Sequence, residues 1–230
     1  MPGPVGAATE QLPDLIPLKP TSFTTTTTST GQRQLRFTTI VANAGAGRFQ
    51  VVGSRASTSE PEMNTVTQEV FNDQGTVSRR QTTGAVMYFG GDGHNHWHVR
   101  DLETYELVRT DNGVKVGTGE KHGFCFYDNK AYDLSLPGAP QTPFYRGCGN
   151  ASQLQVVTGL SVGWGDRYAW RLPDQYIDIT GLTPGRYRLF YKVDVANHFL
   201  ESSDSNNTSC TTLQIDAQSV SVINRRCSGS

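Results

Sequence analysis

From Arg186 to Val195 the chain reads RYRLFYKVDV, with Tyr187, Leu189, Tyr191, Val193 and Val195 in one row and Arg186, Arg188, Lys192 and Asp194 in the other. A period of two is what a strand with one buried and one wet face requires, and such a strand needs partners along both edges. Thr183-Pro184-Gly185 just ahead of it predicts a type II turn. No segment keeps a helical period of 3.6 through three turns, and 24 glycines and 11 prolines interrupt the 230 residues. The fold expected is therefore all-β, a β-sandwich with long connecting loops and little helix. Asp111-Asn112-Gly113, between TYELVRT and VKVGTG, predicts a hairpin whose turn residues accept positive φ. QLRFTTIVANAGAGRFQVV predicts two short strands around a turn, and the threonine-rich PTSFTTTTTST reads as an edge strand leading into the first of them.

A formal net charge of −1 with 18% charged residues gives no basic stripe to neutralise phosphates, which excludes nucleic acid and anionic membrane surfaces as expected partners. No apolar run approaches the roughly 20 residues that span a bilayer, so no membrane anchor is expected, and the opening MPGPVGAATEQ lacks the apolar core of an export signal. The four cysteines, Cys125, Cys148, Cys210 and Cys227, form an even set without Cys-x-x-Cys spacing. Disulfides fit that pattern better than metal or thioredoxin-like chemistry, and they point to a secreted protein in an oxidising compartment. Three pairings are open; adjacent pairing would close two short loops.

GGDGHNHWHVRD places His94, His96 and His98 at alternate positions in a chain with five histidines. In an extended segment all three imidazoles face one side, and imidazole is the commonest metal ligand. A flat strand would hold the outer two Cα atoms about 13 Å apart at ~3.3 Å per residue, so the chain must bend for the rings to share an ion. The glycines of Gly90-Gly91-Asp92-Gly93 permit such a bend. Three neutral nitrogens suit copper or zinc, and an open fourth position would make the ion catalytic. From the histidines alone, a zinc hydrolase and a copper oxidase are equally compatible.

The ordered set GHNHWH, EKHGFCFYD, GLSVGWGDRYAWRLPDQYIDITGLTPGRYRL and ESSDSNNTSC resembles the catalytic domain of the lysyl oxidase family over residues 13 to 227. The resemblance implies that His94, His96 and His98 bind Cu2+, and that Lys121 and Tyr168 become a self-derived lysine tyrosylquinone. It also implies oxidative deamination of lysine-containing peptide or protein substrates by dioxygen, releasing aldehyde, hydrogen peroxide and ammonia. A phenol near a redox metal can be oxidised to an electrophile, and a neighbouring amine can add to it only when neutral and well placed. Asp166, two positions before Tyr168, and Asp101, just past the histidines, are the candidate general bases.

ESSDSNN offers Glu201, Asp204, Asn206 and Asn207 as oxygen donors of the kind Ca2+ uses. The resemblance adds Asp14 and the Leu15 carbonyl to that set, although this chain carries Ser203 where the family pattern has an acidic residue. It relates Cys210–Cys227 to a family pair, which leaves Cys125 with Cys148. Animal matrix members carry further cysteines where this chain has Asp92 and Trp164. The organisation expected is a flexible segment over 1–12 and a single catalytic domain over 13–230, a free-standing, microbial, secreted member of the family. Asn150-Ala151-Ser152 and Asn206-Asn207-Thr208 match the glycosylation sequon. The alternative is a secreted metal-binding β-sandwich without oxidase activity.

Overall fold

A computed structural model describes residues 8–90, 94–225 and 227. Among them there is no helix, and every strand pairing is antiparallel. The strands divide among four sheets around one hydrophobic core. The sheet that carries the alternating segment runs in the order Lys115–Thr118, Glu103–Arg109, Gly185–Val193, Thr208–Ile215, Val220–Asn224. A second is organised on the long strand Arg33–Asn43, which pairs with Leu15–Pro17, Thr21–Thr27, Trp164–Tyr168 and Tyr176–Asp178. These two sheets face each other through Phe37 and Tyr105, whose rings meet edge-on at 5.1 Å. The third sheet holds Phe49–Ser54, Thr65–Asn72 and Gln155–Leu160, and the fourth, a small one, holds Met87–Phe89, Trp97–Arg100 and Gly123–Phe124.

Tyr187, Leu189, Tyr191 and Val193 are buried as their alternation predicts. Val195 is not: it is 58% exposed. Asp194 takes φ 45° and turns the chain inward, so that its carboxylate accepts from the backbone N–H groups of His198 and Phe199. The strand therefore ends one step earlier than its pattern. The turn before it also differs. Gly185 already belongs to the strand, and the positive φ falls on Gly181, in a turn closed by the Leu182 N–H donating to the Ile179 carbonyl. That is type II geometry one turn upstream.

The hairpin at Asp111-Asn112-Gly113 forms, joining Glu103–Arg109 to Lys115–Thr118. Only Gly113 has positive φ there, and the Arg109 N–H reaches the Val114 carbonyl, so the loop spans four residues rather than a two-residue turn. Thr21–Thr27 is a strand, as expected. Arg33–Asn43 and Phe49–Ser54 are both strands, but the first is eleven residues long and the two lie in different sheets. Glu10–Gln11, inside the segment expected to be flexible, pairs with Asn72 and Phe71. Both expected disulfides are present, Cys125–Cys148 and Cys210–Cys227.

Candidate metal and cofactor centre

His98 lies in the strand Trp97–Arg100, whereas His94 and His96 precede it in irregular chain. The His96 N–H donates to the His94 carbonyl at 2.9 Å, an i to i+2 contact that folds the backbone sharply around Asn95. That fold brings the rings to centroid separations of 5.6, 5.6 and 4.5 Å, and one ligand atom of each lies within 4.8 Å of the others. Residues 91–93, whose glycines the sequence assigns to the bend, lie outside the described residues. Nitrogens sharing one ion at ~2.0–2.1 Å are at most about 4.2 Å apart, so the trio needs only a small contraction to hold a Cu2+ or Zn2+. These three form the one tight group of histidine, cysteine or acidic ligands found among the described residues.

Two glycines make room for the trio. A Cβ at Gly90 would lie 2.7 Å from His98 Nδ1, and one at Gly123 would run into the Tyr88 hydroxyl and lie 2.9 Å from His98 Cγ. Gly123→Ala is accordingly expected to push His98 off its place. The expected cost is about 1–3 kcal/mol of stability, read by denaturant melts, together with weaker copper binding by titration.

Lys121 and Tyr168, 47 positions apart, come together. Both are only 7% exposed, and the Lys121 Nζ lies 5.1 Å from the Tyr168 ring centroid and 5.3 Å from that of Phe124. Tyr168 closes the strand Trp164–Tyr168 opposite Thr39, and Phe124 meets its ring edge-on at 5.3 Å. Its hydroxyl donates to the Cys125 carbonyl at 2.7 Å. Lys121 also lines a cavity of about 400 Å³ shared with His94, His98, Glu120 and Asp174. It thus stands between the histidine chamber and the buried phenol. A larger cavity of about 460 Å³ near Arg48 and Phe144 contains neither the histidines nor Lys121.

The Cys125–Cys148 bridge ties the two halves of the centre. Cys125 supplies the acceptor for the Tyr168 hydroxyl, while the Cys148 carbonyl accepts from the Trp97 N–H, on the residue between His96 and His98. Replacing both cysteines by serine is expected to cost about 3 kcal/mol for a loop of this size. Because Tyr168 and the histidines lose their common anchor, cross-link yield in peptide maps should fall even at temperatures where the variant stays folded.

Of the two candidate bases, the structure keeps one beside the phenol. Asp166 is 1% exposed, on the same strand face as Tyr168, and accepts a hydrogen bond from Asn129 Nδ2. Burial raises its pKa well above the usual carboxylate range. Burial, then the Asp166 and Glu103 charges, raise the Tyr168 hydroxyl well above its ordinary value. Asp101 instead sits outside, half exposed, with Oδ1 2.6 Å from His122 Nδ1. Sequence reasoning missed Glu103, which is fully buried and pushed up to about 7 by that burial, against the Tyr191 and Tyr105 hydroxyl bonds. Its signal was present: Glu103 is in phase with Tyr105 and Leu107 on the inward row of its strand.

The oxygen-donor set is also assembled. Glu201 accepts from the Leu15 N–H and, at Oε1, from Asn207 Nδ2 at 2.9 Å; Asn206 Nδ2 donates to both Asp14 oxygens at 2.9 and 3.1 Å. Burial pushes Glu201 up to about 8, and Asn207 Oδ1 is buried with no hydrogen-bond partner. A carboxylate and a carbonyl oxygen left in this condition are what a hard cation would satisfy.

The chain is 27% identical over 161 residues to lysyl oxidase homolog 2 of Xenopus laevis, covering 70% of this chain and 20% of that protein. It is 28% identical over 155 residues to human lysyl oxidase homolog 3 (67% and 19%) and 29% identical over 152 residues to mouse lysyl oxidase homolog 4 (66% and 18%). The chain spans about a fifth of the length of the curated relatives it matches. The family model described as lysyl oxidase matches residues 58–227, a stretch that takes in the three histidines, Lys121 and Tyr168, and the chain therefore belongs to the lysyl oxidase family.

Proposed function

We propose that this protein is a copper-dependent amine oxidase that deaminates lysine ε-amino groups of peptides or proteins, using dioxygen and a lysine tyrosylquinone made from Lys121 and Tyr168. The observation that carries the reading is the 5.1 Å approach to the Tyr168 ring of the Lys121 Nζ, whose residue lines the same cavity as His94 and His98. His94, His96 and His98 would hold Cu2+. That quinone, once formed, would supply an electrophilic carbon for primary amines and a two-electron redox couple with dioxygen as the oxidant.

The chain's own side chains do the rest. Glu120 and Asp174 put negative charge on the cavity wall, which attracts a protonated amine. The Trp164–Tyr168 strand fixes the phenol, and burial of Tyr168 and Phe124 keeps bulk water from the reacting carbons. Asp166, buried on the Tyr168 face of the same strand, is the carboxyl group placed to take the substrate's α-proton. The aldehyde, hydrogen peroxide and ammonia are the products. The two disulfides support the reading of a secreted protein in an oxidising compartment.

Peroxide release from lysyl peptides by the copper-loaded protein tests the reading. A copper-loaded protein with no visible quinone absorbance and no peroxide would favour the metal-binding module. Zinc-dependent hydrolysis indifferent to Tyr168→Phe would favour a hydrolase.

Asp14, the Leu15 carbonyl, Glu201, Asn206 and Asn207 are proposed to bind Ca2+, with the amide oxygens turned toward the ion. At a hundredfold excess over its Kd the ion would add about 2.7 kcal/mol. Chelation with EGTA is therefore expected to lower Tm by roughly 5–10 °C for a domain of this size. A melt that EGTA leaves unmoved would remove calcium from the account.

A further inference from the structure

The larger cavity, of about 460 Å³, serves none of the chemistry above. It opens where the strand Thr65–Asn72, the chain entering Phe49–Ser54 and the long loop of residues 132–154 meet, and Arg48, Phe71, Asp73, Pro137, Pro140 and Phe144 stand on its lining. Its walls are tied down. The Asp128 carboxylate accepts from the Phe144 and Tyr145 N–H groups at 2.9 and 3.2 Å. The Pro140 carbonyl accepts from Trp164 Nε1 at 2.8 Å, and the Tyr145 hydroxyl donates to Gln50 Oε1 at 2.7 Å. A loop fastened at these points presents a preformed cavity, and its volume falls in the range that small-molecule sites occupy.

Arg48 is the one cation on that lining. Its guanidinium carbon lies 3.7 Å from the Phe71 ring centroid and 5.4 Å from that of Phe144. Such contacts stabilise the charge through the aromatic faces but use none of the five N–H donors around the edge of the group. Nη2 reaches the Gly75 carbonyl only at 3.5 Å, the outer limit of a hydrogen bond, and the group also approaches the Tyr145 hydroxyl, where it opposes the effect of burial. No carboxylate among the described residues stands within ion-pair distance of Arg48, whereas Arg79, Arg80, Arg100 and Arg109 each have one. Asp73 shares the lining, but its Oδ1 accepts from the Thr9 N–H at 3.2 Å. Beside this cation, Phe144 is held 59% exposed.

We infer that this cavity is a second binding site, for a small monocarboxylic acid carrying one aromatic or branched apolar group. The carboxylate pairs with the N–H edge of Arg48, and the apolar group lies against Phe144, Pro137 and Pro140. A guanidinium whose plane is fixed by stacking matches the two oxygens of a carboxylate, and low-dielectric walls strengthen that pair. The Asp73 carboxylate, in the same lining, disfavours a second negative charge on the ligand, which separates a monocarboxylate from phosphate. The site shares no residue with the cavity of His94, His98 and Lys121, so it stands apart from the amine oxidase reading.

The test is isothermal titration of the copper-loaded protein with 3-phenylpropionate, with 3-phenylpropionamide and inorganic phosphate as comparison probes. One equivalent of the acid should bind per chain with a Kd on the order of 1 mM or tighter, the affinity a ligand of this size supports. The amide, which keeps the shape and loses the charge, should bind at least tenfold more weakly, and phosphate should not displace the acid. Arg48→Met keeps an apolar stem over Phe71 but removes the donors, and should weaken the acid at least tenfold while leaving the amide unchanged. Phe144→Ala removes an exposed ring, should weaken acid and amide alike by several-fold, and carries the test should Arg48→Met not fold. Absence of saturable binding at concentrations tenfold above the expected Kd overturns the inference. So does binding that the amide or phosphate matches, or an affinity for the acid that both variants leave at the wild-type value.

Discussion

Tyr168→Phe is expected to bind copper normally and fold normally, yet show no Lys121–Tyr168 cross-link, no quinone absorbance and no peroxide release. The loss should reach the detection floor, on the order of a millionfold against a typical enzymatic acceleration. The structural cost is small, because the hydrogen bond from the phenol to the Cys125 carbonyl is worth about 1 kcal/mol. Lys121→Arg should give the same functional loss by a different route. Arginine keeps positive charge at the same place but cannot become neutral, so no amine is available for the ring. Mass spectrometry and a copper titration on both variants check the pair. A Tyr168→Phe protein that still releases peroxide at the wild-type rate would separate the tyrosine from the chemistry.

His96→Ala should lower copper affinity by well over the ~100-fold that loss of an outer-sphere group costs, because it removes a ligand itself. His96 is the member held by the sharp fold around Asn95, and its ring lies 4.5 Å from that of His98. Alanine there leaves two nitrogens, too few to fix one ion. Cross-linking and peroxide release should then disappear together while the fold persists, since His96 is only partly buried. Isothermal titration with copper and a thermal melt of the apo protein are the measurements.

Much of this was legible because period-two patterns report which face of a strand is buried. Tyr187 to Val193, the threonine strand and the Asp111-Asn112-Gly113 hairpin follow from side-chain alternation and turn chemistry alone. The errors fall where a backbone hydrogen bond overrides the pattern. Val195 is out of phase because Asp194 turns inward to cap the next segment, and Gly181 rather than Gly185 takes the positive φ. Lys121 and Tyr168 could be paired only through family resemblance, because nothing local brings together residues that distant; the sheet built on Arg33–Asn43 and the packing of Phe124 do so. Glu103 was hidden for a related reason. A glutamate inside a strand reads as an outward charge until the phase of Tyr105 and Leu107 is used to turn it inward.

The most direct test of the central claim is a peptide map and intact mass of the protein before and after copper loading in air. The account predicts a single new species in which the Lys121 and Tyr168 peptides are covalently joined, with a defined change in oxygen and hydrogen content, dependent on copper and on dioxygen. Fully copper-loaded, folded protein whose Lys121 and Tyr168 peptides remain separate and unmodified after exposure to air would contradict it.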